Sequence, residues 1–169
     1  MDPSQPLPRL WLMTDERLGD RLPEALARLP AGAGVVFRHY SLDETARRTL
    51  FDAVRAAHQG PLLLAGPATF AAAWGADGSH GRHEGAVTAS AHDLAELRLA
   101  EAMNVRLVFL SPVYATRSHP GAEALGAEGF DALAAETELP TVALGGMNAE
   151  RAKPLTRAYG WAGIDAWLG

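Results

Sequence analysis

Four polar residues, Thr116, Arg117, Ser118 and His119, stand in a row in FLSPVYATRSHPGAEALG, just past an apolar run that ends at Leu110. Their hydroxyls, guanidinium and imidazole, on a loop stiffened by Pro120, make a donor set suited to the oxygens of a phosphate. His119 adds an option for proton transfer. The same residues also suit a solvated loop closed by hydroxyl–backbone hydrogen bonds. A second candidate is LGGMNAE, Leu144–Glu150. Gly145 and Gly146 let a backbone approach a ligand closely, and Asn148 can cap a following helix whose first amides attract an anion. A plain turn would use the same glycines.

Arg38 closes an otherwise apolar run, GVVFRHY, and a charge there requires an anionic partner or an exit to solvent. His80 in DGSHG and His92 in SAHD suit either acid–base work or structural hydrogen bonding, and His92 also suits the first turn of a helix. Metal binding by His80, His83 and His92 lacks the helix-phased spacing of a zinc motif.

To converge, these residues must lie on one end of a common scaffold. Short apolar runs alternate with alanine-rich helical stretches along the whole chain. Strands are expected over 9–14, 34–40, 61–66, 76–81, 86–91, 106–110, 140–146 and 162–168. Helices are expected over 21–29, 44–58, 68–74, 95–103, 127–136 and 149–158. Strands apolar on both faces and separated by helices imply a parallel α/β sheet, either a (β/α)₈ TIM barrel or a doubly wound sheet. In both, the ligand site lies at the carboxyl ends of the strands, where Thr14, Asp15, Arg38, His80, Ser90, His92, Thr116–His119, the glycine pair and Asp165 all fall. The chain is short for a barrel. Only 82–85 separates the fourth and fifth strands, so a barrel here is a shortened one. The helix between strands 4 and 5 is missing or reduced, and so is the last helix. A single domain over 9–169, after a disordered lead-in at 1–8, is expected.

The net charge of −5 argues against nucleic acid or an anionic membrane surface as partner. No run approaches the ~18 uncharged apolar residues of a membrane span, and the N-terminus lacks a signal-peptide pattern. Without cysteine there are no disulfides, thiolate metal sites or thiol nucleophiles, which is compatible with a cytoplasmic location. Lys153 is the only lysine, so an anion must be met by arginine, hydroxyls, histidine or backbone amides.

Taken in order, ADGSHG, TASAHD, SPVYATRSHPGAEALG and LPTVALGGMNAE resemble the thiamine phosphate synthase and thiazole tautomerase superfamily of (β/α)₈ barrels, across nearly the whole chain. The resemblance implies coupling of an aminopyrimidine diphosphate to a thiazole phosphate, with Mg²⁺ assistance and loss of pyrophosphate. It implies that Thr116, Ser118, Gly145 and Gly146 hold the thiazole phosphate, with His119 where relatives have lysine. Arg38 and Ser90 then belong to the reacting centre. On the diphosphate side the pattern departs. Arg38 alone remains of Gln-x-Arg-x-Lys, Ala65-Gly66 replaces Asn-Asp, and Glu84 is the only candidate for the second metal-binding carboxylate. A serine after the last strand is replaced, at Leu168 in this reading. The tautomerase relatives use a histidine at the position of His92 as acid–base and no metal. The readings left open are a thiamine phosphate synthase-like transferase, a metal-free isomerase, and a non-catalytic phosphate sensor or scaffold. The expected partner is a small phosphorylated thiazole or pyrimidine. Apolar flanks left by the missing helices suggest a homo-oligomer.

Overall fold

The computed structural model describes residues 5–115 and 123–169. Eight strands pair in sequence order, all parallel, and the eighth closes on the first. They are β1 (Leu10–Met13), β2 (Gly34–Phe37), β3 (Leu62–Ala65), β4 (Gly78–His80), β5 (Thr88–Ala91), β6 (Leu107–Leu110), β7 (Thr141–Ala143) and β8 (Gly160–Gly163). Among the described residues six α-helices cover the outside: α1 (Leu22–Ala27), α2 (Glu44–Ala57), α3 (Ala68–Trp74), α4 (Leu94–Ala102), α5 (Gly126–Ala134) and α6 (Ala149–Ala152). This is the shortened (β/α)₈ barrel that the resemblance implies and one of the two architectures the alternating pattern allows, and no helix lies between β4 and β5.

The register explains how that helix can be dispensed with. A parallel crossover ordinarily needs about a dozen residues because the chain must travel back the length of a strand. Here β4 and β5 pair only through His80 and Thr88, the last residue of one and the first of the other. The stagger removes the return journey. Gly81 and Gly85 at positive φ turn the chain, and Gly81 N–H donates to the Thr88 carbonyl across 2.9 Å.

Strand interiors fill the barrel with Trp11, Leu63, Leu107 and Phe109, all buried, and Trp11 meets Phe109 edge to face at 5.5 Å. Small residues make room for the indole: a Cβ on Gly34 would fall 2.4 Å from the Trp11 ring. Of the expected lead-in, Gln5–Pro8 runs against the barrel. Leu7 is buried, and its carbonyl accepts the Tyr159 hydroxyl at 2.6 Å, so the packed chain begins before Arg9.

Two elements near the C-terminus differ from expectation. The helix expected over 149–158 is a single turn, because Pro154 cannot donate an amide and its ring obstructs the preceding turn. The last strand occupies Gly160–Gly163 instead of 162–168. Asp165–Trp167 instead form a 3-10 turn that tucks Trp167 inward, its Nε1–H donating to the Trp11 carbonyl at 3.1 Å. The residue standing past the end of β8 at the barrel mouth is therefore Asp165, and Leu168 lies beyond the turn.

Candidate functional site

At the carboxyl ends of β1, β2, β6, β7 and β8 lies a cavity of about 340 Å³. Arg17, Arg38, Arg151 and Asp165 supply its charge, Gly145 and Gly146 its close backbone approach, and Pro112, Leu144, Met147 and Ile164 its apolar wall.

Each charged group is held from its own strand end. Thr14, fully buried past β1, accepts the Arg38 amide on its hydroxyl at 2.9 Å and bonds His39 Nδ1 at 2.9 Å. That double grip keeps His39 at φ +34, an uncommon conformation for a non-glycine residue, and stacks its ring on Phe37. It also fixes where the Arg38 side chain leaves the strand. The Arg38 guanidinium donates Nε–H to the Thr14 carbonyl at 2.8 Å and pairs Nη2 with Asp15 Oδ2 at 3.0 Å. Arg17 Nε lies 3.9 Å from Asp15 Oδ1 and 3.4 Å from Asp165 Oδ1. Charges thus alternate from Asp165 through Arg17 and Asp15 to Arg38.

The glycine pair is required by geometry. Gly145 (φ +95) and Gly146 (φ +61) both occupy the left-handed region. A Cβ on Gly145 would sit 2.7 Å from Pro112 Cα, and one on Gly146 would sit 2.8 Å from the Ala115 carbonyl oxygen. The loops after β6 and β7 therefore touch backbone to backbone, sealed by Tyr114 N–H donating to the Gly145 carbonyl at 3.1 Å. Asn148 caps α6 as expected, its Oδ1 accepting the Arg151 amide at 2.9 Å. A one-turn helix carries little macrodipole, so among the described residues the positive charge on this side comes from the Arg151 side chain. Its Nη1 reaches the Gly146 carbonyl at 2.6 Å while its guanidinium lies over Tyr114.

His80 and Ser90 sit together deeper in the barrel. His80 Nδ1 is 2.9 Å from Thr88 Oγ1 and Nε2 is 3.4 Å from Ser90 Oγ. Burial, reinforced by the nearby Arg38 charge, pushes the His80 imidazole down to about 3. It is neutral at pH 7. It therefore serves as a hydrogen-bonding link between two hydroxyls and brings no charge to an anion.

Other residues singled out in the sequence fall elsewhere. His92 is exposed at the start of α4, its Nδ1 2.7 Å from Glu96 Oε2, and it does not line the cavity. Glu84 is exposed on a second cleft beside β2–β4, shared with Tyr40, His80 and Arg82. Thr116, Ser118 and His119, with Arg117, lie outside the described residues. The sequence reading missed Arg17, in a 3-10 turn over Glu16–Arg21, and Arg151 of α6, isolated arginines of a kind that solvated surface shares. Their one signal is adjacency: Arg17 follows Asp15 by two residues, and Arg151 follows the capping Asn148 by three. It also missed Arg47 of α2, which donates to the Arg38 carbonyl at 2.8 Å and to the Ala65 carbonyl at 2.6 Å, tying together the ends of β2 and β3.

The donors for Mg²⁺ do not fit. Among the described residues no three His, Asp or Glu side chains come together in a way that could hold a metal ion. The end of β3 offers only Ala65 and Gly66, Asp15 is paired with Arg38, and Glu84 stands apart on the second cleft.

A closed parallel barrel with an arginine-rich cavity and paired glycines at its carboxyl-end face defines the chain as a (β/α)₈ barrel with an anion-compatible site. It belongs to the thiamine monophosphate synthase family, whose model matches residues 81–166. The putative thiamine-phosphate synthase 2 of Aquifex aeolicus is 31% identical, with 96% of this chain and 98% of that protein covered. Among solved structures, the thiamine phosphate pyrophosphorylase of Pyrococcus furiosus has a TM-score of 0.77 at 22% identity, covering 94% of this chain and 86% of that one. The corresponding protein of Bacteroides thetaiotaomicron has a TM-score of 0.63 at 17% identity, covering 96% and 84%. These last two establish the fold alone. Among the described residues no helix is long and apolar enough to cross a membrane.

Proposed function

We propose that the protein binds a thiazole phosphate, or a close phosphomonoester relative, in the cavity between β6 and β8, and that it acts in thiamine biosynthesis as a thiamine phosphate synthase-type protein. The observation that carries this reading is the meeting of Arg151 with the Gly145–Gly146 backbone beside an apolar wall. The phosphate would lie on the β7 loop, where the bare backbone admits oxygens at hydrogen-bond distance and the Arg151 guanidinium supplies charge. The ring would lie against Leu144, Met147 and Ile164. A cavity of about 340 Å³ is at the small end for ligand pockets, sized for one such molecule.

For coupling to an aminopyrimidine diphosphate, Arg38 is the cation lining the cavity from the β2 side, and Ser90, within 3.4 Å of neutral His80, would be the hydroxyl offered from the end of β5. The unsuitable donor set beside β3 supports a second reading, metal-free isomerisation of the bound thiazole. His92, held by Glu96, would then be its acid–base and would have to be approached from the rim.

Calorimetric titration with thiazole phosphate tests the binding site. Arg151→Met should weaken the complex about tenfold, the worth of one charge-assisted hydrogen bond. An unchanged affinity would reject the β7 loop as the phosphate seat. In the same preparation, formation of thiamine phosphate from both substrates with added Mg²⁺ would identify coupling. Isomerisation lost in His92→Ala would identify the second reading.

A further inference from the structure

We infer that Tyr114 is a positioning residue of the site, holding the Arg151 guanidinium beside the β7 loop before a ligand arrives. This rests on the phosphate reading above and adds the residue on which the Arg151 contact depends. Tyr114 stands in the loop after β6 and is not among the residues that line the cavity, so whatever it does for a ligand it does through its neighbours.

Pro154 sets up the contact. In a continuing helix the Arg151 carbonyl would accept an amide from the next turn. Pro154 has no N–H to offer, and the Leu155 amide turns back to the Ala152 carbonyl at 3.1 Å. The Tyr114 hydroxyl takes the place of that donor, giving its hydrogen to the Arg151 carbonyl at 3.2 Å. The same side chain makes a second contact, because the Arg151 guanidinium carbon lies 5.3 Å from the centre of the Tyr114 ring, within the range of cation–π attraction. Tyr114 thus holds Arg151 at its backbone and at its tip.

The tyrosine is itself fixed to the β7 loop. Its N–H donates to the Gly145 carbonyl at 3.1 Å, and a Cβ on Gly146 would fall 3.1 Å from Tyr114 Cβ. An exposed arginine samples many rotamers, and ordering it on binding costs affinity. Here the Tyr114 ring and the Gly146 carbonyl, 2.6 Å from Nη1, order it in the unliganded protein. A guanidinium has several N–H donors and the bond to Gly146 uses one of them, so donors remain for phosphate oxygens.

The test is a double-mutant cycle read by calorimetric titration with thiazole phosphate. Tyr114→Leu removes both contacts and should weaken binding about fivefold, the worth of one exposed cation–π contact. Tyr114→Phe keeps the ring and should lose about twofold, the low end for one hydrogen bond. In the Arg151→Met background Tyr114→Leu should cost nothing further, since a residue that acts through Arg151 has nothing left to position. Melting curves check the fold, and Tyr114→Met gives the same readout if the leucine variant does not fold. Parental affinity in Tyr114→Leu, or an equal loss with and without Arg151, would overturn the inference while leaving Arg151 as the phosphate contact. If Arg151→Met itself binds as tightly as the parent, the phosphate reading falls and this inference with it.

Discussion

Gly145→Val should reduce binding of thiazole phosphate at least a hundredfold while the protein remains folded. The backbone there sits at φ +95, where a β-branched residue is strained by about 1–3 kcal/mol. The new Cβ would also lie 2.7 Å from Pro112 Cα, a backbone atom that cannot swing aside as a side-chain tip would. The loops after β6 and β7 must therefore separate, and a displacement of about 1 Å at a ligand-positioning loop costs on the order of a hundredfold. Gly146→Val should behave alike, since its Cβ meets the Ala115 carbonyl oxygen at 2.8 Å. Circular dichroism melts establish that the barrel persists, and calorimetry reads the loss. Near-parental affinity in a folded Gly145→Val protein would mean that the glycines serve the turn alone.

The second large effect is on stability in acid. The His80 imidazole has a folded value of about 3 against an ordinary 6.5, so between those limits the unfolded chain takes up a proton that the folded barrel refuses. The contribution is fully present above pH 6.5 and is lost as pH falls. At ~1.4 kcal/mol per pH unit, the loss attributable to His80 between pH 6.5 and 4.5 is about 2–3 kcal/mol. His39 and His58, also pushed down by burial, add slopes of the same sign. Urea denaturation of the parent and of His80→Gln over this range isolates the His80 share. The glutamine stays neutral over the whole range, so its curve should be flatter by about one proton. Coincident slopes would show that His80 titrates normally and is not sealed in the barrel.

Much of this arrangement was legible before any coordinates, because a buried parallel strand writes itself as a short run of apolar residues. LWLM, LLLA and LVFL could hardly be anything else. The carboxyl ends of those runs located Arg38, Ser90, the glycine pair and Asp165 at one mouth. Legibility failed where burial and polarity part company. GWAG is a real strand whose glycines and half-buried Trp161 dilute its pattern. The following IDAWL imitates a strand because Ile164 and Trp167 are buried by a 3-10 turn. That misplacement set Leu168, beyond the turn, at the position of the relatives' serine. Pro154 was visible and should have stopped the helix after one turn. Arg17, Arg47 and Arg151 were unreadable for another reason: an arginine's long side chain acts far from its own backbone, and only the fold shows which carbonyls and carboxylates it reaches.

The separation of the two halves of the mouth is the main structural point. The β6–β8 side combines close-approach backbone, Arg151 and an apolar wall, whereas the β2–β4 side has Ala65 and Gly66 where the resemblance leads one to expect a carboxylate and amide. Arg47, tying the Arg38 and Ala65 carbonyls, completes that side as structure.

The most direct test is a crystal structure of the protein grown with thiazole phosphate. The phosphate should lie against the Gly145–Gly146 backbone within reach of the Arg151 guanidinium, with the ring on Met147 and Ile164. Density for the ligand in the cleft lined by Tyr40, Arg82 and Glu84 instead, with the β7 loop bare, would contradict the account.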